Sequence, residues 1–125
     1  MKKAKAKNII AWVLQVLLGL EYLLAGSGKL TNAEWWQRKF EEWGYPDHVY
    51  LVVGILEMLA GILIFFPKFS ARAALAMMVV MAGAVATHLI YGEFDRFLAP
   101  LIIGLLTTGL FLLRRKHPTK VSLPS

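Results

Sequence analysis

Four long apolar runs divide the sequence and constrain its fold more than any other feature. They cover about residues 9–28, 49–66, 71–91 and 97–113, and each is close to the ~17–25 residues that a helix needs to cross a bilayer. The chain is 58% hydrophobic and only 18% charged, too little polar surface to cover a water-soluble domain of 125 residues. We therefore predict a single all-α membrane domain over residues 1–125, an antiparallel bundle of four transmembrane helices.

Basic residues are distributed unequally around these runs. Four precede the first run, two lie around the junction of the second and third runs, and four follow the fourth, with no acidic residue among them. The other two connections carry both signs of charge. Because cytoplasmic segments of membrane proteins are enriched in Lys and Arg, we predict a multi-pass protein of the cell (inner) membrane with both termini in the cytoplasm. The basic ends favour contact with lipid headgroups of the bilayer, and we expect no nucleic-acid partner.

The stretch AGSGKLT, residues 25–31, has the look of a phosphate-binding loop. Such a loop requires Gly-x-x-x-x-Gly-Lys-[Ser/Thr], because its backbone wraps the phosphates and its hydroxyl binds the metal ion. The first glycine is replaced by Leu23 and the hydroxyl residue by Leu30. The glycines instead predict the outer end of the first membrane helix, which we expect to begin at Asn8 and to turn into a short loop here.

A short amphipathic helix is predicted over about residues 32–43, between the first and second spans. Thr31 and Glu34 have capping-box spacing, and three tryptophans and Phe40 recur at helical intervals. About 12 residues cannot cross a bilayer, so the helix should lie flat at the outer interface. It is either an interfacial anchor or a lid over an outward-opening pocket.

Prolines and small residues suggest where the other helices begin and pack. We expect Pro46 to start the second span, Pro67 to end it, and the third span to begin near Ser70 or Ala71. Alanine and glycine at residues 82–86 would let the third helix approach its neighbours closely.

Three ionisable side chains lie within the apolar runs, where charge is costly and therefore indicates function. Glu57 falls near mid-membrane, while Glu21 and His88 lie closer to the outer side, with Lys29 and Tyr91 near the mouth of this polar track. Three interpretations remain open: a structural network that joins helices, a pocket for a polar-headed lipophilic ligand such as a quinone, or a path for protons or ions.

Glu57 shares a helix face with Gly54 and Gly61, which suits either tight helix packing or room for a ligand. A quinone needs hydrogen-bond donors for its carbonyls and a proton donor and acceptor if it is reduced, and His and Glu side chains supply both.

No metal site is predicted. His48 and His117 lie outside the spans on opposite sides, so one chain cannot hold haem between two histidines in the membrane. The absence of cysteine removes thiol redox chemistry. The sequence therefore assigns no cofactor with certainty, and a quinone is the candidate that its residues best accommodate.

The order of several short motifs resembles the DoxX family of small four-helix membrane proteins. The first helix ends LLAGSGKL, the amphipathic segment ends WGYP, and the second span contains GILEMLAGIL. A third span with THL and a fourth that opens APLI complete the order, so that the resemblance covers about residues 9–113. Lys29, Glu57 and His88 stand at the positions that carry it, whereas Glu21 is not part of it.

This resemblance implies two kinds of role. DoxX-like proteins are associated with a terminal quinol oxidase, with thiosulfate:quinone oxidoreduction, with quinone resistance and with oxidative-stress complexes, whereas a distant animal branch assists the assembly of acetylcholine-gated channels. We expect a redox-associated protein that binds a quinone-like molecule in an outward-opening pocket, or a subunit of a quinone-linked oxidoreductase complex. The alternative is a non-enzymatic scaffold or assembly chaperone, so whether the chain is an enzyme stays open. A homo-oligomer or a membrane redox partner protein is expected in either case.

Overall fold

The computed structural model describes residues 2–116, and within that range it consists of five α-helices with no β-strand. In chain order the helices are α1 (Lys2–Thr31), α2 (Ala33–Glu42), α3 (Val49–Ile64), α4 (Pro67–Ile90) and α5 (Leu98–Arg114). Helices α1, α3, α4 and α5 form a bundle in which α1 and α4 each pack against both α3 and α5. The short helix α2 contacts α1 and α3 at one end of the bundle. The predicted all-α fold is confirmed.

Helices α1 and α3 touch along a seam of glycines. A Cβ atom added to Gly26 would lie 2.5 Å from the carbonyl oxygen of Gly54, and one added to Gly61 would lie 2.9 Å from that of Gly19. These backbones leave no room for side chains, so the two helices pack antiparallel in direct contact. Gly54 and Gly61 were expected to allow either tight helix packing or room for a ligand beside Glu57, and the structure shows tight packing.

Helix α1 is longer than predicted at both ends. It begins at Lys2 rather than at Asn8, and it continues through AGSGKLT to Thr31 without the expected turn. Gly26 does not end the helix, because its close packing on α3 outweighs the low helix propensity of glycine. Thr31 therefore lies inside α1, where its hydroxyl donates to the carbonyl of Ser27 at 3.0 Å. The predicted capping box is wrong: α2 starts after Asn32, which makes no side-chain cap.

Both prolines act differently from the prediction. Pro46 belongs to a turn, and α3 begins only at Val49, after His48 has adopted a left-handed backbone with φ 70°. Pro67 does not end the second long helix but is the first residue of α4, where its missing N–H leaves no hydrogen bond unmade. The connection from α3 to α4 is consequently only two residues long.

Two helices, α1 with 30 residues and α4 with 24, are long and apolar enough to cross a membrane. Helices α3 and α5 are also apolar, but their 16 and 17 residues fall at the lower limit of ~17 for a span. The outer faces of the bundle are apolar, and Leu24, Val79 and Ile90 are each more than two-thirds exposed. The predicted four spans and cytoplasmic termini stay predictions.

A polar cluster closes the end of the bundle opposite α2. Arg114 of α5 donates from Nε to Oε1 of Gln15 at 2.8 Å and from Nη1 to Asn8 at 2.9 Å, both on α1. The amide nitrogen of Gln15 in turn donates to the carbonyl oxygens of Ile64 and Phe65 at the end of α3, at 3.0 and 3.2 Å. Gln15 thus joins three helices, and the sequence analysis did not single it out.

Candidate functional site

Helix α2 lies across the other end of the bundle because one of its faces is aromatic. Phe40 is buried, with its ring 5.2–6.5 Å from those of Trp43, Tyr45 and Tyr50. Trp36 and Trp43 are half-buried, while Trp35 is exposed. The helix predicted over residues 32–43 is therefore present over Ala33–Glu42, and its aromatic face is turned toward the bundle.

A cavity of about 670 Å³ lies beneath α2, lined by residues of all five helices. Its walls are mainly apolar, which is typical of sites for small lipophilic ligands. Six ionisable side chains other than tyrosine reach it: Glu21, Lys29, Lys39, Glu57, His88 and Arg96. Four of the five predicted site residues are among these six, and the fifth, Tyr91, does not line the cavity.

Lys29 and Glu57 form a buried ion pair between α1 and α3. The ammonium nitrogen lies 2.9 Å from Oε1 of Glu57, and the two residues are 8% and 3% exposed. The contact is ion-pair proximity rather than a directed bond, because Oε1 accepts no hydrogen bond of good geometry from any residue in the described range. The ammonium group also lies 4.4 Å from the centre of the Trp36 ring. The carboxylate is thus buried beside the cavity with hydrogen-bonding capacity to spare.

His88 is held from the far side by Glu93, a residue that sequence reasoning missed. Nδ1 of His88 lies 2.7 Å from Oε1 of Glu93, while Oε2 of Glu93 accepts from Lys39 at 3.1 Å and from the indole of Trp43 at 3.4 Å. The hydrogen bond with His88, followed by those from Lys39 and Trp43, lowers the pKa of Glu93 to about 2. The other ring nitrogen of His88, Nε2, makes no hydrogen bond within residues 2–116, and the side chain lines the cavity.

The end of α4 explains why Glu93 reaches His88. Gly92 has φ 71°, the N–H of Glu93 donates to the carbonyl of His88 at 2.7 Å, and the N–H of Gly92 donates to that of Leu89 at 3.3 Å. These two bonds form a Schellman motif, which folds the chain back over the last turn of a helix. Gly92, four residues after His88, is the signal in the sequence that could have identified the contact between His88 and Glu93.

The hydroxyl groups of two tyrosines form hydrogen bonds between α4 and the segment that follows α2. The hydroxyl of Tyr91 donates to the carbonyl of Trp43 at 2.6 Å, so the predicted site residue Tyr91 anchors the end of α2 from outside. The hydroxyl of Tyr45 lies 2.6 Å from that of Thr87. Because Thr87 already donates to the carbonyl of Gly83, Tyr45 is the donor in this bond. Both bonds restrict movement of α2 relative to α4.

The remaining predicted residues have distinct environments. Glu21 is half-buried on α1 and contributes a second carboxylate to the cavity. His48 is exposed in the turn before α3, whereas His117 lies outside the described residues. Within residues 2–116, no group of three or more His, Asp and Glu side chains is placed to hold a metal ion. The ionisable and aromatic side chains that line the cavity offer proton donors, proton acceptors and aromatic surfaces.

Comparison with known proteins identifies a family to which the chain is similar. The model of the DoxX-like family matches residues 13–110, which include α2, α3, α4 and most of α1 and α5. No curated protein and no solved structure matches the chain significantly.

Proposed function

The chain belongs to the DoxX-like family, and from this premise we propose that it spans the membrane four times and binds a quinone-like lipophilic molecule in the cavity under α2. The observation that carries the proposal is the combination of an apolar cavity of about 670 Å³ with a histidine and a buried Lys–Glu pair on its walls. Apolar cavities with a few convergent polar groups are the usual form of small-molecule sites.

The polar groups match the two states of a quinone. A quinone carbonyl accepts hydrogen bonds, which the ammonium group of Lys29 and a protonated His88 can donate. A quinol hydroxyl donates, and Glu57 or neutral His88 can accept. Flat aromatic side chains such as Trp36 and Tyr22 offer apolar surface for the ring. The site is therefore suited to a ring that carries oxygens, joined to an apolar tail.

Membrane topology follows from the same proposal. With α1, α3, α4 and α5 as the spans, α2 and the cavity face the outside, while the basic ends of the chain lie in the cytoplasm. Because the sequence contains no cysteine, single cysteines at Ala4 and Asp95 can be labelled without background. An impermeant thiol reagent added to intact cells should label residue 95 and spare residue 4. Labelling of residue 4 alone would reverse the orientation.

The sequence contains no cysteine, and no group of three or more His, Asp and Glu side chains within residues 2–116 is placed to hold a metal ion, which favours a second protein as the source or acceptor of any electrons. We therefore propose that the chain acts as a subunit beside a membrane redox partner, or as a homo-oligomer, in the bilayer of the cell membrane. Co-purification after mild detergent extraction, followed by mass measurement of the intact complex, tests this part.

Thermal unfolding of the purified protein with a series of quinones and quinols tests the ligand. Only a molecule that binds the folded state raises the melting temperature, by an amount equivalent to ~2.7 kcal/mol at a hundred times its Kd. Gly28→Trp should abolish the shift, because Gly28 lines the cavity and a Cβ there meets only open space. Leu20→Trp, at an exposed position on the same helix that does not line the cavity, is the matched control. Equal shifts in both variants would contradict binding in this cavity.

One observation favours the alternative of a non-enzymatic scaffold or assembly chaperone. The polar side chains that line the cavity also join helices, with Lys29–Glu57 linking α1 to α3 and Tyr22–Thr107 linking α1 to α5. A purely structural role predicts that Glu57→Ala and Glu57→Gln both lower the melting temperature strongly, because each leaves the ammonium group of Lys29 buried without a counter-charge, and that no quinone shifts it. A ligand role predicts that both variants lose the quinone-dependent shift.

A further inference from the structure

The imidazole of His88 is held in one orientation by two neighbours. Nδ1 lies 2.7 Å from Oε1 of Glu93, and the indole ring of Trp43 meets the imidazole edge to face, with ring centres 5.5 Å apart at an angle of 88°. His88 is mostly buried, and its ring lines the cavity. Nδ1 is therefore engaged by Glu93, whereas Nε2 has no hydrogen-bond partner within residues 2–116.

Glu93 is an acceptor in this contact. Its second oxygen receives hydrogen bonds from Lys39 and from the indole of Trp43, both of which are donors only. The ammonium group of Lys39, 3.1 Å from that oxygen, favours the ionised form of the carboxyl. An ionised carboxylate has no hydrogen to donate, so Nδ1 of His88 has to supply the hydrogen of the 2.7 Å bond.

We propose that Glu93 is a positioning residue that fixes a proton on Nδ1 of His88, so that Nε2 is the atom at which the imidazole exchanges a proton with a hydroxylated ligand. The ligand part of this statement rests on the proposed function, whereas the tautomer is a property of the protein alone. A quinol hydroxyl that binds at Nε2 transfers its proton there and leaves an oxyanion and an imidazolium. No electron moves in this step, and the positive charge forms beside the carboxylate of Glu93.

Other charged groups face the same space from each surrounding helix. Lys39 of α2 is bound to Glu93 and compensates its charge, Arg96 lies two residues before α5, and Glu21 of α1 adds a second carboxylate to the cavity wall. Across the cavity, Lys29 and Glu57 neutralise each other. Among these groups, Glu93 is the one in contact with the imidazole, so it dominates the choice of tautomer.

Nitrogen-15 NMR of histidine-labelled protein in micelles measures the tautomer without any ligand. The His88 signals are identified by their loss in His88→Gln, and in the neutral ring we expect the proton on Nδ1. Glu93→Gln should shift the proton in part to Nε2, because an amide can donate as well as accept. Asp95→Asn is the matched control: it removes a carboxylate two residues away that is 82% exposed and whose ion pair among residues 2–116 is with Arg96, at 4.0 Å. A proton on Nε2 in the native protein, or an unchanged tautomer in Glu93→Gln, would overturn the positioning role.

Addition of a short-tailed benzoquinol then tests the exchange itself. We expect the Nε2 signal of His88 to move several-fold more than that of Nδ1, and Gly28→Trp to suppress the movement. An unmoved Nε2 signal in a protein with the expected tautomer would reject proton exchange together with the proposed quinone site. A wrong tautomer combined with a quinone-dependent rise in melting temperature would instead reject only the role of Glu93.

Discussion

The hydroxyl of Tyr22 on α1 lies 2.7 Å from that of Thr107 on α5, and this bond marks the floor of the cavity. On one side of it the two helices pack together down to the contact between Gln15 and Arg114. On the other side, α1 and α5 contribute wall residues to the cavity, Gly28 and Ile103 among them. Helices α1 and α5 thus pack against each other along one half of the bundle and border the cavity in the other half.

Loss of this floor bond should destabilise the bundle modestly. In Tyr22→Phe, Thr107 keeps its own bond to the carbonyl of Ile103 at 2.7 Å, so only the interhelical bond is lost. We expect a decrease of about 1 kcal/mol in the free energy of unfolding, the usual contribution of one hydrogen bond. Unfolding in mixed micelles measures it. Thr108→Val is the control, because Thr108 bonds only to the backbone of its own helix, and an equal loss there would contradict the assignment.

The Lys29–Glu57 pair should behave as a unit. Removal of either partner leaves the other charge buried without compensation, which costs ~3–5 kcal/mol in comparable pairs. We expect Lys29→Ala and Glu57→Ala each to be strongly destabilising and the double variant to cost clearly less than their sum. A double-mutant cycle of unfolding free energies provides the measurement. Additive effects would show that the 2.9 Å contact contributes no coupling.

Two glycines two residues apart on α1 should respond in opposite directions to alanine. A methyl group at Gly26 would lie 2.5 Å from the backbone of α3, so Gly26→Ala should separate the helices and cost ~1–3 kcal/mol. At Gly28 the same methyl meets nothing within 4 Å, so Gly28→Ala should raise stability by ~0.5–1 kcal/mol through helix propensity. Melting temperatures of the two variants compare them directly. A loss of stability in Gly28→Ala would be inconsistent with open space there.

Acid should loosen the connection between α2 and the end of α4. The pKa of Glu93 is lowered from 4.5 to about 2 in the folded protein, first by the hydrogen bond with His88. A carboxyl with a lower pKa in the folded state stabilises the fold above its unfolded pKa, and this contribution disappears as the pH falls through the folded value. We expect the melting temperature to fall between about pH 4.5 and 2, and less steeply in Glu93→Gln. The slope should be unchanged in Asp95→Asn, and identical slopes in all three proteins would refute the assignment.

Helix positions could be predicted from the sequence because they follow local apolar patterns. The ionisable residues within the apolar runs, Glu21, Glu57 and His88, could also be selected, since charge in an apolar run stands out without knowledge of the fold. The predicted helix boundaries at Thr31 and Pro67 were wrong. Packing of α1 against α3 lets the first helix continue to Thr31, and the short turn between α3 and α4 makes Pro67 the first residue of α4.

Contacts between distant residues could not be foreseen in the same way. The bond between Gln15 and Arg114 joins residues 99 positions apart, and it depends on the register of α1 against α5. Glu93 was missed for a different reason: its side chain meets His88 only because Gly92 reverses the chain with a positive φ. Tyr91, in contrast, was selected from the sequence but does not line the cavity, because its hydroxyl donates a hydrogen bond to the carbonyl oxygen of Trp43.

The position of Gln15 has a consequence for the order in which the chain can assemble. Its amide supplies the hydrogen bonds missing at the end of α3 and accepts the one donated by the last residue of α5. During synthesis, α1 therefore carries a group whose partners follow 49 and 99 residues later in the chain. Until α5 is made, the carbonyl oxygen of this amide lacks its buried donor, so a chain interrupted before α5 carries a polar group without its partner at its core.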